Sequence, residues 1–357
     1  MSSPSPGAQP VPSDPALLAR IALIAPGTTL RDGLDRIVNG HTGALIVLGE
    51  NDELRGLSTG GFAIDAPFTP TALRELAKMD GAITLSGDLT RIRAASVHLM
   101  PRAEIETAET GTRHRTADRV ARQTGLPVVT VSASMATITL FTPSVRRTIE
   151  HPEHLMVRAN QAVAALGRYR GRLDEELERL NLLELADQVT LHELALVAQR
   201  VELLRRLEAE LDAYLVELGA DGRLVSMQVR ELMTGVDDLV TLLLRDYGRD
   251  PGDPELGRRL AALDPDAVLD LVRVARALDP GAPLDGPRRP LGLRQLATIP
   301  RLQARTIDRL IEHFGSLYNL FGVSAAELAA VDGVSLATAR RVRDGLVRLV
   351  ESSAYDQ

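Results

Sequence analysis

The chain has 357 residues, a formal net charge of −7 and no cysteine. This length indicates two or three domains, and the lack of cysteine excludes disulfides, thiolate metal sites and a cysteine nucleophile. The first 15 residues are rich in Ser and Pro, and the apolar run that follows contains Arg20, which argues against a signal peptide or a membrane span. We therefore expect a cytoplasmic protein with a disordered tail over residues 1–15.

The N-terminal part alternates between helical and strand-like patterns. A glycine-bounded apolar run at residues 43–49 predicts a strand that is buried on both faces. Further strands are predicted at residues 82–85, 92–99, 127–131 and 138–141. Helices are predicted at residues 16–24, 30–38, 71–78 and 114–124. The alternation predicts an α/β domain, a mixed sheet flanked by helices, over residues 16–147.

Strand signals nearly vanish after residue 148. Leucines recur at three- and four-residue spacing, with charges between them, over residues 173–185, 189–218, 224–247 and 267–278. This spacing predicts an all-α spine over residues 148–287. The 26 acidic and 16 basic residues between 151 and 287 are interpreted as solvated faces. A stretch rich in Pro and Gly at residues 278–290 predicts a linker.

The last region, residues 288–357, contains an apparent tandem duplication in which an apolar turn leads into a helix. In the second copy, Gly333 and Val334 match the helix-hairpin-helix pattern, whose glycine lets N–H groups of the next helix face a phosphate. Arg301 stands at the glycine position of the first copy, which leaves open whether that copy grips DNA or only packs helices.

The charge of this region favours DNA as its partner. Residues 288–350 carry ten basic and five acidic residues, a net charge of +5. Such turns contact the phosphate backbone of DNA and not its bases, so we expect sequence-independent binding. Arg340 and Arg341 are expected to add further phosphate contacts. The alternative is a pair of αα-hairpins that only pack helices.

The densest group of candidate site residues lies between residues 77 and 116. Asp80 precedes Gly81 and an apolar run, which places a carboxylate at the mouth of a strand, where it can hold a divalent metal. Arg113 and Arg115 bracket His114 at the start of a helical pattern, where free N–H groups favour anions. Together these residues predict a nucleoside triphosphate site. A P-loop is excluded, because the single lysine follows an alanine.

The order and spacing of Asp80-Gly81-Ala82 and Arg113-His114-Arg115 resemble the paired signature of the diadenylate cyclase family. The layout of the whole chain resembles the DNA-integrity scanning members of that family. The resemblance implies condensation of two ATP molecules to cyclic di-AMP and two pyrophosphates. It implies that Asp80 binds Mg²⁺ or Mn²⁺ and that Asp80, Arg113, His114 and Arg115 are catalytic. The nucleotide-binding residues that it implies are Gly81, Leu99, Thr112, Arg113, His114, Arg115, Thr116 and Ser132.

Assembly follows from the chemistry. A site that holds one ATP cannot both supply and receive the nucleophile, so two cyclase domains must face each other. The resemblance implies a homo-octamer that binds branched or damaged DNA and associates with the nucleoid. It also implies interaction with recombination or repair proteins. Two alternatives are an ATP-sensing DNA-binding scaffold without turnover and a repair-nuclease subunit, for which the catalytic domain lacks a recognisable carboxylate cluster.

Overall fold

The computed structural model describes residues 14–247 and 254–355. These residues form two compact units, one comprising residues up to 162 together with 209–228, the other comprising 163–208 together with residues from 229 onward. The first unit contains all the strands found in the described part of the chain, and the second is helical. The predicted fold class, an α/β domain followed by helical regions, is confirmed.

A mixed sheet forms the centre of the first unit. The described residues contain β1 (Ala44–Leu48), β2 (Ser58–Thr59), β3 (Phe62–Pro67), β4 (Ala82–Leu85), β5 (Arg91–Leu99), β6 (Val128–Ser132), β7 (Thr137–Phe141) and β8 (Arg146–Ile149). Their order is β2-β5-β4-β1-β6-β7-β8, and β3 also pairs with β5. Only β1 and β4 are parallel among these pairs, and all the others are antiparallel.

Helices cover both faces of this sheet. They are α1 (Pro15–Ala22), α2 (Thr29–Asn39), α3 (Asp52–Leu57), α4 (Pro70–Leu76) and α5 (Thr112–Thr124). Because successive residues of a strand point to opposite faces, Ile46 of β1 joins a core with α1, α2 and α4. Its neighbour Val47 joins a second core with α3 and α5. The buried central strand predicted from its apolar run is therefore packed on both sides.

Four short elements of this unit, α3, β2, β3 and β8, were not predicted from the sequence. Strand β3 is mostly exposed and lacks a buried alternation. Strand β8 contains Arg147, which is buried because its guanidinium pairs with Glu217 at 3.0 Å. A partner 70 residues away is invisible to periodicity. Strand β8 also crosses residue 147, where the sequence places a domain boundary.

Helices account for nearly all the remaining structure. They are α6 (Pro152–Leu185), α7 (Leu191–Leu218), α8 (Arg223–Met233), α9 (Val236–Tyr247), α10 (Pro254–Ala261), α11 (Pro265–Leu269), α12 (Leu271–Leu278), α13 (Leu293–Ala297), α14 (Ala304–Phe314), α15 (Leu317–Phe321), α16 (Ala325–Ala329) and α17 (Leu336–Tyr355), with a 3-10 helix at Gly219–Gly222. None of the helices in the described ranges is long and apolar enough to cross a bilayer.

Two predicted helices are each broken in two. The helix predicted over residues 224–247 stops before Gly235, whose φ of 78° is left-handed. The helix predicted over residues 267–278 is interrupted at Asp270, whose side chain caps α12 by accepting the N–H of Val272. In both cases a leucine pattern continues across a local backbone break, so periodicity alone predicts one helix.

The predicted linker at residues 278–290 is held against the start of α7. The N–H of Leu191 donates to the Gly286 carbonyl at 3.0 Å, and the N–H of Arg288 donates to the Val189 carbonyl at 2.8 Å. An isolated bridge joins Thr190 and Pro287. The segment connects α12 to α13, and these backbone hydrogen bonds, which composition does not reveal, fix it against α7.

The end of the chain contains two turns of similar conformation. We define the first hairpin turn as residues 299–302, before α14, and the second hairpin turn as residues 331–334, before α17. Arg301 has a φ of 60° and Gly333 a φ of 75°, so both turns contain a left-handed residue at the same position. Both turns contribute to one apolar core that includes Ile299 and Val334.

Candidate functional site

Four strand ends meet at one edge of the central sheet. Because β1 and β4 are parallel, they begin at the same edge. Strands β5 and β6 run antiparallel to β4 and β1, so both of them end there. The N-terminus of α5 comes to the same place. Residues that are distant in sequence are therefore brought together at this edge.

A cavity of about 660 Å³ opens there. Eight of the residues predicted to bind nucleotide or metal line it: Asp80, Gly81, Leu99, Thr112, Arg113, His114, Thr116 and Ser132. Arg115 does not line this cavity and is exposed on α5. Ala82, which belongs to the Asp80-Gly81-Ala82 signature, and Met100, which follows Leu99, also line it. Lining residues that were not predicted from the sequence are Leu45, Val97, His98, Gly111, Val131, Ala133 and Ser134.

Asp80 presents an open carboxylate to the cavity. Its side chain is 99% exposed, and its Oδ1 lies 3.8 Å from Nη2 of Arg113. The backbone at this point is fixed, because the Asp80 carbonyl accepts a hydrogen bond from the Ser96 hydroxyl at 2.8 Å. Among the described residues, Asp80 is the only carboxylate that lines the cavity. It is therefore the cavity's candidate metal ligand.

Gly81 is required by the fold as well as by any ligand. Its φ is 100°, and a Cβ there would lie 2.7 Å from the carbonyl carbon of Ser96 on β5. Ser96 itself has a positive φ of 56°, where the pairing of β4 and β5 shifts register. Gly81, which the family resemblance implies as a nucleotide-binding residue, is therefore also needed for the close packing of two backbones.

The N-terminus of α5 faces the cavity, and no side chain caps its backbone N–H groups. Gly111 is its N-cap and supplies no side-chain hydrogen bond. The N–H of Arg115 donates to the Gly111 carbonyl at 2.8 Å, which is the first hydrogen bond of the helix. The N–H groups of residues 112–114 precede it and have no carbonyl acceptor within α5. Such groups attract anions. The Thr116 hydroxyl donates to the Thr112 carbonyl at 3.0 Å and is thus engaged within the helix.

Two contacts fix the side chains of this first turn. A Cβ on Gly43 would lie 2.4 Å from Nη1 of Arg113, so a side chain before β1 would displace that guanidinium from its present position. The His114 ring packs edge-on against Phe141, with 5.8 Å between ring centroids. The sequence analysis used Gly43 only as a strand boundary, and its position beside Arg113 is visible only in the folded sheet.

The end of β6 also lines the cavity. Ser132 Oγ accepts the N–H of Met135 at 3.3 Å and lies 3.4 Å from the Ser134 hydroxyl. Ser134 also lines the cavity. Met100, another lining residue, and Met135 are both largely exposed. The cavity therefore combines hydroxyl groups on one side with exposed apolar surface.

The residues predicted to bind DNA lie around the two hairpin turns. Arg341 donates through Nη1 to the Arg301 carbonyl at 3.2 Å, so these two residues are brought together. Gly333 lies beside Arg309, whose Nη1 donates to the Asp332 carbonyl at 3.3 Å. Arg340 is an exposed residue of α17, and Val334 is buried. The sequence analysis did not identify Arg309.

Family models match two parts of the chain. Residues 31–145 match the nucleotide-binding region of the DisA bacterial checkpoint controller, and this range includes every residue that lines the cavity. Residues 149–283 match the linker region of the same family.

Similar proteins cover almost the full chain. A DNA integrity scanning protein DisA from Parafrankia sp. is 48% identical over 97% of this chain and 98% of its own length. The DisA protein of Cutibacterium acnes is 50% identical over 93% of this chain and 98% of its own. A crystal structure of DacA from Staphylococcus aureus is 22% identical, covers 37% of this chain and 88% of that one, and has a TM-score of 0.30. At this identity and coverage of the full-length relatives, the chain belongs to the DisA family of DNA integrity scanning proteins.

Proposed function

We propose that this protein condenses two ATP molecules into cyclic di-AMP and two pyrophosphates, and that its C-terminal region binds DNA. One observation carries the enzymatic part. The open carboxylate of Asp80 and the bare N-terminus of α5 with Arg113 line the same cavity. A carboxylate for a metal and an anion-binding helix start are the two elements that phosphoryl transfer needs.

Asp80 is proposed to hold Mg²⁺ or Mn²⁺. No group of three or more metal-ligating side chains occurs in the described ranges, so an ion at Asp80 would complete its shell with water and nucleotide phosphates. This matches the usual way in which Mg²⁺ binds in nucleotide enzymes. When bound, the ion neutralises phosphate charge and lowers the pKa of a coordinated hydroxyl.

The start of α5 is proposed to bind the triphosphate. Arg113 supplies charge-assisted hydrogen bonds, and the backbone N–H groups of the first turn add further donors. Gly43 keeps the space that the Arg113 side chain occupies, and Phe141 holds His114 in place. Across the cavity, Leu99 and Met100 offer an apolar surface on which a purine can lie.

In the proposed reaction, the 3′-oxygen of one ATP attacks the α-phosphorus of the other. A new O–P bond forms, the bond from the α-phosphorus to the bridging oxygen breaks, pyrophosphate leaves, and the hydroxyl loses its proton. The same step in the opposite direction closes the ring. A cavity of about 660 Å³ is of the size that holds one such ligand. Two copies must therefore face each other, and the exposure of Asp80 fits this arrangement.

The assembly and partners are proposed on the family relationship. The relatives are named DNA integrity scanning proteins, and the net charge of +5 over residues 288–350 favours a polyanion. We propose that Gly333, Val334, Arg301, Arg340 and Arg341 contact DNA. The protein is proposed to be an octamer that binds branched or damaged DNA and interacts there with repair proteins. Arg341 uses one donor on Arg301, which leaves further N–H groups of its guanidinium for phosphate.

The test of the enzymatic proposal is product identification. Purified protein is incubated with ATP and Mg²⁺ or Mn²⁺, with and without a chelator, and the nucleotides are separated by anion-exchange chromatography. We expect one cyclic di-AMP and two pyrophosphates for every two ATP consumed, and no product with the chelator. Recovery of intact ATP from a protein that binds it would support the ATP-sensing scaffold instead.

A further inference from the structure

The two hairpin turns at the C-terminus are related by spacing as well as conformation. Arg309 follows Arg301 by eight residues, and Arg341 follows Gly333 by eight residues. Arg309 and Arg341 therefore occupy equivalent places on α14 and α17, the helices that follow the first and second turns.

Each of these arginines reaches the turn of the other copy. Arg309, in the first copy, donates to the carbonyl of Asp332 in the second hairpin turn at 3.3 Å. Arg341, in the second copy, donates to the carbonyl of Arg301 in the first hairpin turn at 3.2 Å. The contacts are reciprocal, because in each of them an arginine on the helix of one copy donates to a carbonyl in the turn of the other copy.

Close packing supports both contacts. A Cβ on Gly333 would lie 1.7 Å from Nη1 of Arg309, so the guanidinium occupies the space that a side chain at residue 333 would need. A Cβ on Gly345 of α17 would meet the Ile299 side chain of the first hairpin turn at 2.7 Å. Gly333 therefore makes room for Arg309 of the first copy, and Gly345 makes room for Ile299 of the first copy.

We propose that Arg309 and Arg341 are equivalent positioning residues, each of which holds the hairpin turn of the other copy in its DNA-binding conformation. This inference rests on the proposed DNA binding. Both turns contain a left-handed residue, one of which is the non-glycine Arg301, and such turns persist only when their surroundings hold them. A guanidinium suits this role, because one N–H can hold a carbonyl while the others remain available to a phosphate or water.

The first test compares two arginines on one helix. Arg305 is an exposed residue of α14 and has no hydrogen bond to either turn among the described residues, so Arg305→Ala removes the same charge without the contact. With fluorescence anisotropy on a labelled duplex, we expect Arg309→Ala to weaken affinity by ~10-fold or more and Arg305→Ala by less than ~3-fold. Arg309→Lys, which keeps a cationic donor, should recover most of the loss. Equal losses for Arg309→Ala and Arg305→Ala, or no recovery with lysine, would overturn the assignment.

The second test is a double-mutant cycle between Arg309 and Gly333. In the wild type, Gly333→Ala displaces the guanidinium, whereas in the Arg309→Ala background there is no guanidinium to displace. Alanine at a φ of 75° is strained in both backgrounds, so the cycle compares the two losses. We expect Gly333→Ala to weaken DNA affinity by ~10-fold alone and by at least ~3-fold less than that in the Arg309→Ala background. Additive losses would overturn the assignment while leaving DNA binding intact.

Failure of the proposed DNA role gives a different result. A wild-type protein with no affinity for any duplex would contradict DNA binding itself. The same cycle measured on thermal unfolding midpoints still tests whether Arg309 holds the turn, and additive shifts there would overturn the contact. Cyclic di-AMP synthesis, measured in parallel, should stay within ~2-fold of wild type in every variant, because the cyclase residues lie in the other compact unit.

Discussion

The cavity of the α/β domain and the paired hairpin turns at the C-terminus both place helix starts where an anion can bind, yet they differ in what surrounds those helices. The start of α5 faces a cavity of about 660 Å³ together with the carboxylate of Asp80. The start of α17 follows a turn held by an arginine of the neighbouring copy. Anion binding alone therefore does not make a site catalytic. In the function proposed above, enclosure and a carboxylate that can hold a metal distinguish the catalytic site from the DNA-binding surface.

The largest expected effect comes from removing the carboxylate that makes this difference. Asp80→Asn keeps the side-chain volume but removes the charge that would hold a divalent ion. We expect cyclic di-AMP synthesis to fall by ~10³-fold or more, whereas ATP affinity without metal should change little. Chromatographic product assays and a nucleotide titration measure the two quantities.

Asp52 offers the matched control for Asp80. Its side chain is 95% exposed, and it pairs with Arg55 at 2.7 Å outside the cavity. Asp52→Asn should synthesise cyclic di-AMP at the wild-type rate. Full activity of Asp80→Asn, or equal losses in the two variants, would remove Asp80 from the proposed site.

The next effect separates the two arginines around His114. Arg113 lines the cavity and Arg115 does not. We expect Arg113→Ala to weaken ATP binding by ~10- to 100-fold through the loss of charge-assisted hydrogen bonds, and Arg115→Ala to change it by less than ~3-fold. Titration with a fluorescent ATP analogue measures both. Equal losses of affinity would mean that charge near α5, and not the lining of the cavity, governs binding.

A smaller effect concerns DNA binding and not catalysis. Arg340→Ala should remove about one phosphate contact and lower the slope of log affinity against log salt by ~0.9. Arg168, exposed on α6 outside residues 288–350, is the control, because Arg168→Ala makes the same charge change. Anisotropy titrations at several salt concentrations measure the slope. An unchanged slope for Arg340→Ala would exclude Arg340 from the DNA-binding surface.

The last prediction concerns the free energy of unfolding and a buried aspartate of the helical unit, in contrast to the exposed Asp80. Asp246 is 2% exposed, and its carboxylate accepts the N–H groups of Gly292, Leu293 and Arg294 at 2.6 to 2.8 Å. Burial, assisted by the charge of Glu184 and opposed by these hydrogen bonds, raises the pKa of Asp246 to about 6. The folded state therefore binds this proton more tightly than the unfolded state.

Stability should consequently depend on pH with a definite sign. Because the folded pKa is raised, the contribution of Asp246 to the free energy of unfolding falls as the pH rises from about 4 to about 6. Between pH 4 and pH 7, we expect wild type to lose ~1–3 kcal/mol relative to Asp246→Asn. Chemical denaturation of both proteins at the two pH values measures this difference. A difference that is independent of pH would contradict the raised pKa.

The sequence predicted those features that local patterns encode. The apolar run of β1 and the helical pattern ended by Gly125 predicted the central strand and α5, and the motif residues Asp80 and Arg113 do line one cavity. Features that depend on distant partners were not predictable. Arg147 is buried in β8, where it pairs with Glu217, 70 residues away, and Arg309 reaches a turn 23 residues later.

The most direct test of the account is a subunit-mixing measurement, because each cyclisation needs two facing domains that are both intact. Wild-type chains and Asp80→Asn chains are co-expressed in equal amounts with different tags, and the rate of cyclic di-AMP synthesis per total protein is measured. If only pairs of two wild-type domains are active, the rate is about a quarter of the wild-type value. A rate of about half would mean that each chain acts alone, and it would contradict a site shared between facing Asp80 cavities.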